Sequence, residues 1–153
     1  MANTYTEIHV HAVFGVQNRL SLIKDAWKDE LYKYITGIIK NNSHKPLIIN
    51  GTEDHVHLLF GLRPAQSLSE LMKDIKGSSS KWINQKNLVP GRFSWQEGYG
   101  AFSYSKSQLP EVINYIENQQ RHHEKQSFKE EYRKILEKFE VDFKEQYIFA
   151  DIE

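Results

Sequence analysis

Two short stretches repeat one pattern, a histidine, an apolar residue and a histidine set in period-two alternation. They are His9-Val10-His11 within residues 5–14 (YTEIHVHAVF) and His55-Val56-His57 within residues 54–61 (DHVHLLFG). A strand points successive side chains to opposite faces, so each stretch can bury an apolar row while carrying both imidazoles on its other side. In the first, Thr6, Ile8, Val10, Ala12 and Phe14 share one face, and Tyr5, Glu7, His9, His11 and Val13 share the other. In the second, Val56, Leu58 and Phe60 lie opposite His55 and His57. The chain must therefore build a sheet with one core face and one imidazole-bearing face.

The segments between these strands set the architecture. Asp25 is placed to cap a helix over residues 26–40, with Leu31, Tyr34, Ile35 and Ile38 at core spacing. Residues 46–51 (PLIING) read as a strand that forms a hairpin with 54–61, turning near Gly51 to Asp54. Ser67 and Glu70 form a capping-box pattern ahead of a stripe of Leu68, Leu71, Met72, Ile75, Ser79 and Trp82, which marks a second helix. Residues 95–105 (WQEGYGAFSYS) suggest a glycine-interrupted strand. Ser107 to Pro110 opens a third helix to about His123, with proline tolerated in its first turn. A fourth helix is expected over 127–140, then an irregular aromatic tail from Phe143 to Phe149.

The order β-α-β-β-α-β-α-α predicts an α+β fold. Its first six elements match a ferredoxin-like antiparallel sheet with two helices on one face. The opposite face, with His55 and His57, is left for the C-terminal helices or a ligand. A chain of 153 residues fits one domain, with a core over about 5–123 and a C-terminal helix and tail over about 124–153.

Composition narrows the chemistry. With no cysteine there is neither a disulfide nor a thiolate metal site, and a reducing, cytoplasmic setting is expected. The first residues show no signal peptide, and no apolar run is long enough to span a membrane. Lys and Arg number 20, Asp and Glu 20, a balance that would not by itself suggest a nucleic-acid binder. The distribution is uneven: residues 124–153 hold 6 basic and 9 acidic side chains, leaving residues 1–123 with 14 and 11, a net of +3.

His55 and His57 can converge on one cation from a shared strand face, although His9 and His11 repeat that spacing and either pair can be structural. Taking about 100° per residue, Glu111, Tyr115, Gln119 and His122 fall within about 40° of one direction on the third helix. Leu109, Val112, Ile113 and Ile116 form a separate apolar face. Tyr115 thus avoids the helix's own core stripe, and Gln119 one turn on offers a carbonyl oxygen to a cation held by the histidines.

A strand bearing His-hydrophobic-His, followed by a helix bearing Tyr-x-x-x-Gln, resembles the single-tyrosine HUH transposases, the small IS200-like insertion-sequence enzymes and their REP-associated relatives. The likeness runs from Glu53-Asp54-His55-Val56-His57-Leu58-Leu59 through Trp95-Gln96, Gly98-Tyr99 and Phe102-Ser103. It continues with Tyr115-Ile116-Glu117-Asn118-Gln119 and Phe128 with Glu130-Glu131-Tyr132. The resemblance implies His55, His57 and Gln119 as ligands of a divalent cation, Mg2+ or Mn2+, and Tyr115 as the nucleophile that forms a 5′-phosphotyrosine. It further implies a homodimer acting on single-stranded DNA with hairpin ends, with the tyrosine helix of one subunit able to serve the histidines of the other.

Arg19, Lys73, Lys76, Lys81, Arg92 and Trp95 are candidates for holding phosphates and stacking unpaired bases. His9 and His11 are candidates for contacting substrate or orienting a ligand. Two other readings stand beside this one: a DNA-hairpin-binding protein of the same fold that does not cut, and a histidine-dependent nucleotide hydrolase or transferase. A histidine-triad enzyme would want a third histidine where Leu59 stands.

Overall fold

Pairing in the sheet centres on two antiparallel strands, and everything else is hung on their two faces. A computed structural model describes residues 3–142, and the tail from Phe143 to Phe149 lies outside the described residues. The elements run β1 (His9–Gly15), α1 (Asp25–Asn41), β2 (Lys45–Gly51), β3 (His55–Gly61), α2 (Leu68–Gln85) and β4 (Gly100–Tyr104). Three helices follow, α3 (Leu109–Glu117), α4 (Gln119–His122) and α5 (Phe128–Lys138). The strand order is β2-β3-β1-β4, with all neighbours antiparallel. This is the expected α+β, ferredoxin-like arrangement. Among the described residues no helix is long and apolar enough to cross a membrane.

The face predicted to be apolar is the main core. Val10, Ala12 and Phe14 of β1 and Val56, Leu58 and Phe60 of β3 pack with Leu31 and Ile35 of α1 and with Leu71, Met72 and Ile75 of α2. Each such side chain stabilises the fold by about 1.5–3 kcal/mol on burial. Ile8, expected in this row, is 37% exposed. It precedes β1, beyond the last β1–β3 pair of His9 and Gly61.

Several local expectations shift by a residue or more, each for a physical reason. Asp25 is the first helical residue of α1 rather than its cap, which is Lys24. Its carboxylate lies in the first turn, where it favours the helix dipole, and it pairs with Lys28 at 3.3 Å. Ser67 does cap α2, accepting from the Glu70 amide at 3.1 Å. The strand expected over 95–105 is paired only from Gly100 to Tyr104. Trp95 instead makes an isolated bridge with Val16, its ring is buried beside Phe14 and Phe93, and its indole N–H donates to Ser79 Oγ at 2.9 Å.

The second sheet face carries the C-terminal helices. Leu59 packs against Val112 and Ile116 of α3, and Val13 against Phe128 and Leu136 of α5. The continuous helix expected to His123 is interrupted at Asn118 (φ −98°, ψ 22°), which divides α3 from α4.

Gly51 closes the β2–β3 hairpin so tightly that a Cβ there would stand 2.1 Å from the His55 carbonyl oxygen and 2.9 Å from Val56 Cα. Backbone, not a flexible side chain, would have to yield. Gly51→Ala is expected to destabilise the protein by about 1–3 kcal/mol. Gly37→Ala, with nothing within 4 Å of its Cβ in the middle of α1, should stabilise it by about 0.4–1 kcal/mol. Thermal unfolding of the two variants checks the pair, and a neutral Gly51→Ala would contradict the hairpin geometry.

Candidate functional site

The site begins with two ring orientations. Both Nδ1 atoms of the β3 histidines are engaged from outside, which turns both Nε2 atoms toward one point. His55 Nδ1 bonds Asp54 Oδ1 at 2.7 Å, with Thr52 Oγ1 at 2.9 Å and Thr52 also donating to Asp54. His57 Nδ1 and His11 Nε2 share a hydrogen bond at 2.7 Å, and the two rings stack. Outer partners of this kind fix tautomer and ring plane. Of the two β1 histidines, His11 contacts His57, whereas His9 pairs with Glu7 at 3.1 Å outside this network.

The Nε2 atoms meet side chains from the C-terminal helices. Gln119 Oε1 accepts from His55 Nε2 at 3.0 Å, although the break at Asn118 has put Gln119 on a different helix from Tyr115. Glu131 of α5 sits at the centre. Its Oε1 lies 3.0 Å from His57 Nε2, 3.2 Å from His55 Nε2 and 3.0 Å from His123 Nε2. Its Oε2 accepts from Gln119 Nε2 at 2.8 Å and from the Tyr115 hydroxyl. The carboxylate is 1% exposed, and His55, His57 and Gln119 are fully buried.

Such a cluster sets its own electrostatics. Burial opposes charge on Glu131, but hydrogen bonds from His123, His55 and His57 outweigh it and hold the carboxyl far below the usual range. Burial likewise opposes charge on His55, yet Asp54 and Glu131 on its two nitrogens raise it to about 9. His57 is held below its ordinary value by burial, with the neighbouring imidazoles adding to the effect. Burial and then the Glu131 charge push Tyr115 well above an ordinary phenol. Tyr115 is therefore held as a neutral hydroxyl aimed at the carboxylate.

Packing locks these groups in place. Phe128 stacks on His55 with ring centroids 4.1 Å apart, and Gly15 leaves the room, since a Cβ there would meet the Phe128 ring at 2.7 Å. Tyr115 stacks on His122 and meets the edge of His57. Within this one chain Tyr115 and Gln119 meet the chain's own histidines. Beside Tyr115 a cleft of about 380 Å³ opens between α3 and α5, lined by Tyr104, Glu131, Lys134 and Lys138 among others.

The basic residues singled out for DNA fare differently. Lys73, Lys76 and Lys81 lie on α2, which covers the sheet face opposite the histidines. Lys76 is further committed, donating to the carbonyls of Gln96 at 2.7 Å and Gly98 at 2.6 Å. Trp95 is core and has no face for a base. Arg19 is half-buried in the turn after β1, and Arg92 is exposed in the loop after α2. Glu131 is the site residue that spacing did not reveal. It lies one helix beyond the Tyr-x-x-x-Gln pattern, and the only local signal was its place beside Phe128 in the stretch Phe128 to Tyr132.

Comparison with known proteins bears on the family and the fold. A family model described as transposase IS200 like matches residues 4–119. The ISDra2 transposase TnpA of Deinococcus radiodurans is 24% identical over 118 residues, covering 74% of this chain and 84% of that protein. A Deinococcus radiodurans structure described as a candidate transposase superposes with a TM-score of 0.62 at 23% identity, over 78% of this chain and 96% of that one. A REP-associated tyrosine transposase bound to a REP hairpin superposes at 0.61 and 13% identity, over 80% of this chain and 73% of that one. The two structural likenesses bear on the fold. The family match ends at Gln119, so α5 and Glu131 lie outside it.

Asn50 is the hinge between the hairpin and the tyrosine helix. Its Nδ2 donates to the Ile116 carbonyl at 2.9 Å, and its Oδ1 accepts from Gln120 at 2.9 Å. Asn50→Ala should cost about 1–3 kcal/mol and speed amide exchange over residues 114–120 relative to the strands. Hydrogen-exchange mass spectrometry reads this directly. Unchanged protection there would show that apolar packing alone seats α3.

Proposed function

The chain belongs to the IS200-like transposase family, and we propose that it cuts and rejoins single-stranded DNA through Tyr115 with a divalent cation held at His55, His57 and Gln119. The observation that carries this reading is the convergence of three buried side chains, His55, His57 and Gln119, with the half-buried Tyr115 in one cluster of a single chain.

The donors suit such an ion. Among the described residues, His55, His57 and Glu131 form a group whose ligand atoms lie within 4.8 Å of one another. Two imidazole nitrogens and an amide oxygen suit Mn2+ better than Mg2+ on ligand softness, and the absence of a thiolate removes the softest donor. When bound, the cation supplies Lewis-acid stabilisation of charge developing on the phosphate and on the leaving oxygen.

The rest is the work of side chains. Stacking on His122 and the bond to Glu131 fix the direction of the Tyr115 hydroxyl. The Tyr115 Oη–phosphorus bond forms as the phosphorus–O3′ bond breaks, and the proton lost by the Tyr115 hydroxyl is balanced by the one taken up on the departing O3′, leaving a 5′-phosphotyrosine and a 3′-hydroxyl. Because the phosphodiester energy is kept in the tyrosyl ester, a second 3′-hydroxyl can reverse the step and join a new strand. Lys134 and Lys138, on the cleft beside Tyr115, replace the α2 lysines as the cations placed to meet phosphate. The substrate of this reading is DNA with hairpin ends, handled in the cytoplasm by a homodimer whose two sites are each complete within one chain.

A hairpin-ended oligonucleotide with a single-stranded flank and Mn2+ tests the reading. Wild type should cleave it. Tyr115→Phe, which removes one hydroxyl, should lower cleavage by on the order of 10³-fold or more while DNA affinity stays within about twofold. His57→Ala should lose cleavage while remaining folded by circular dichroism. Full cleavage by Tyr115→Phe would refute the nucleophile. Mixing the two dead variants separates one-chain from shared sites. Heterodimers should stay inactive, and recovered cleavage would mean that the tyrosine helix serves its neighbour.

A further inference from the structure

We propose that Glu131 of α5 is a further protein ligand of the divalent cation, so that α5 completes the metal site that His55, His57 and Gln119 begin; this rests on the metal reading of the preceding section.

Three observations support it. First, the outer partners of both β3 histidines turn their Nε2 atoms toward one point, and the oxygen found there is Glu131 Oε1, 3.0 Å and 3.2 Å from the two nitrogens. No described carboxylate other than Glu131 joins both histidines in a group with metal-ligand spacing. Second, two imidazoles and an amide are neutral ligands and leave both charges of the cation uncompensated in a buried site. A carboxylate in that shell reduces the imbalance, and it is the donor that Mg2+ and Mn2+ favour. Third, α5 is anchored as a ligand-bearing helix would need to be. Ser127 caps it by accepting from the Glu130 amide at 3.2 Å, and Phe128 fixes its first turn against His55. A 1% exposed glutamate on a helix whose other buried residues are Phe128 and Leu136 is costly unless it is paired, and two of its partners are the Nε2 atoms that face the cation position.

The rival explanation is that Glu131 is an internal counter-ion that any entering cation must displace. The two make opposite predictions for metal affinity. Isothermal titration of full-length protein with Mn2+, without DNA, reads that affinity independently of cleavage. Glu131→Gln keeps the shape, and both it and Glu131→Ala should weaken Mn2+ binding by at least about tenfold. Affinity equal to or tighter than wild type in these variants overturns the proposal in favour of the counter-ion. His57→Ala is the separate control, since Mn2+ binding that survives it unchanged removes the metal reading itself.

A ligand-specific readout covers the case in which removing the carboxylate unfolds the site. Glu131→Cys places a soft donor at the same position, so its affinity for Cd2+ relative to Mn2+ should rise by at least about tenfold over wild type. A residue with only a structural role would leave that ratio where it was. An unchanged ratio in folded Glu131→Cys overturns the proposal.

Discussion

A strand with a two-residue repeat cannot bury Val56, Leu58 and Phe60 beneath α1 and α2 without placing His55, His57 and Leu59 together on its other side. That geometric constraint on β3 organises the molecule. A slip of one residue in register would put both imidazoles into the core and the apolar row against α3 and α5. Pairing on both sides prevents the slip, because β3 lies between β1 and β2, and Gly51 pins the turn that leads into it. The precision of the site is therefore inherited from the hydrophobic core on the reverse face, where it is inexpensive to maintain.

The imidazole face then needs a lid, and the lid is where polar and apolar demands meet. Leu59 and Val13 are sealed by α3 and α5, which leaves a polar centre enclosed by an apolar rim. Glu131 carries the one buried negative charge in that centre and touches the histidines, Gln119 and Tyr115. Removing one partner from a buried charged cluster typically costs about 3–5 kcal/mol. The chemistry and the docking of α5 are thus one problem with one solution. The same carboxylate keeps Tyr115 neutral and oriented.

Much of this was legible in the sequence because it rests on local periodicity. The alternation around His55 and His57, the Ser67 cap and the Leu71, Met72, Ile75 stripe each announce an element and a face, and α1 and α2 fell where the spacing placed them. The convergence of Tyr115 and Gln119 was legible as a helical offset, although the break at Asn118 puts the two on separate helices where the angle arithmetic assumed one. What failed depends on contacts between distant segments. Trp95 and Lys76 look like DNA-binding residues in isolation, and only the packing of the loop before β4 on α2 shows them committed to structure. Glu131 carries no role legible from its spacing, since a glutamate on an amphipathic helix is ordinarily solvated. Its function comes from which face α5 presents to the sheet, and no local pattern encodes that.

The proposed strand transfer depends on a covalent bond to one oxygen atom, Tyr115 Oη. Wild-type protein incubated with Mn2+ and a hairpin-ended single-stranded oligonucleotide can be digested and its DNA-bearing peptide sequenced by mass spectrometry. The account predicts a peptide containing Tyr115, its mass raised by the 5′-phosphorylated downstream fragment, with the upstream fragment released bearing a free 3′-hydroxyl. An adduct on Tyr99, Tyr104 or any other residue, or cleavage with no adduct at all, would contradict it.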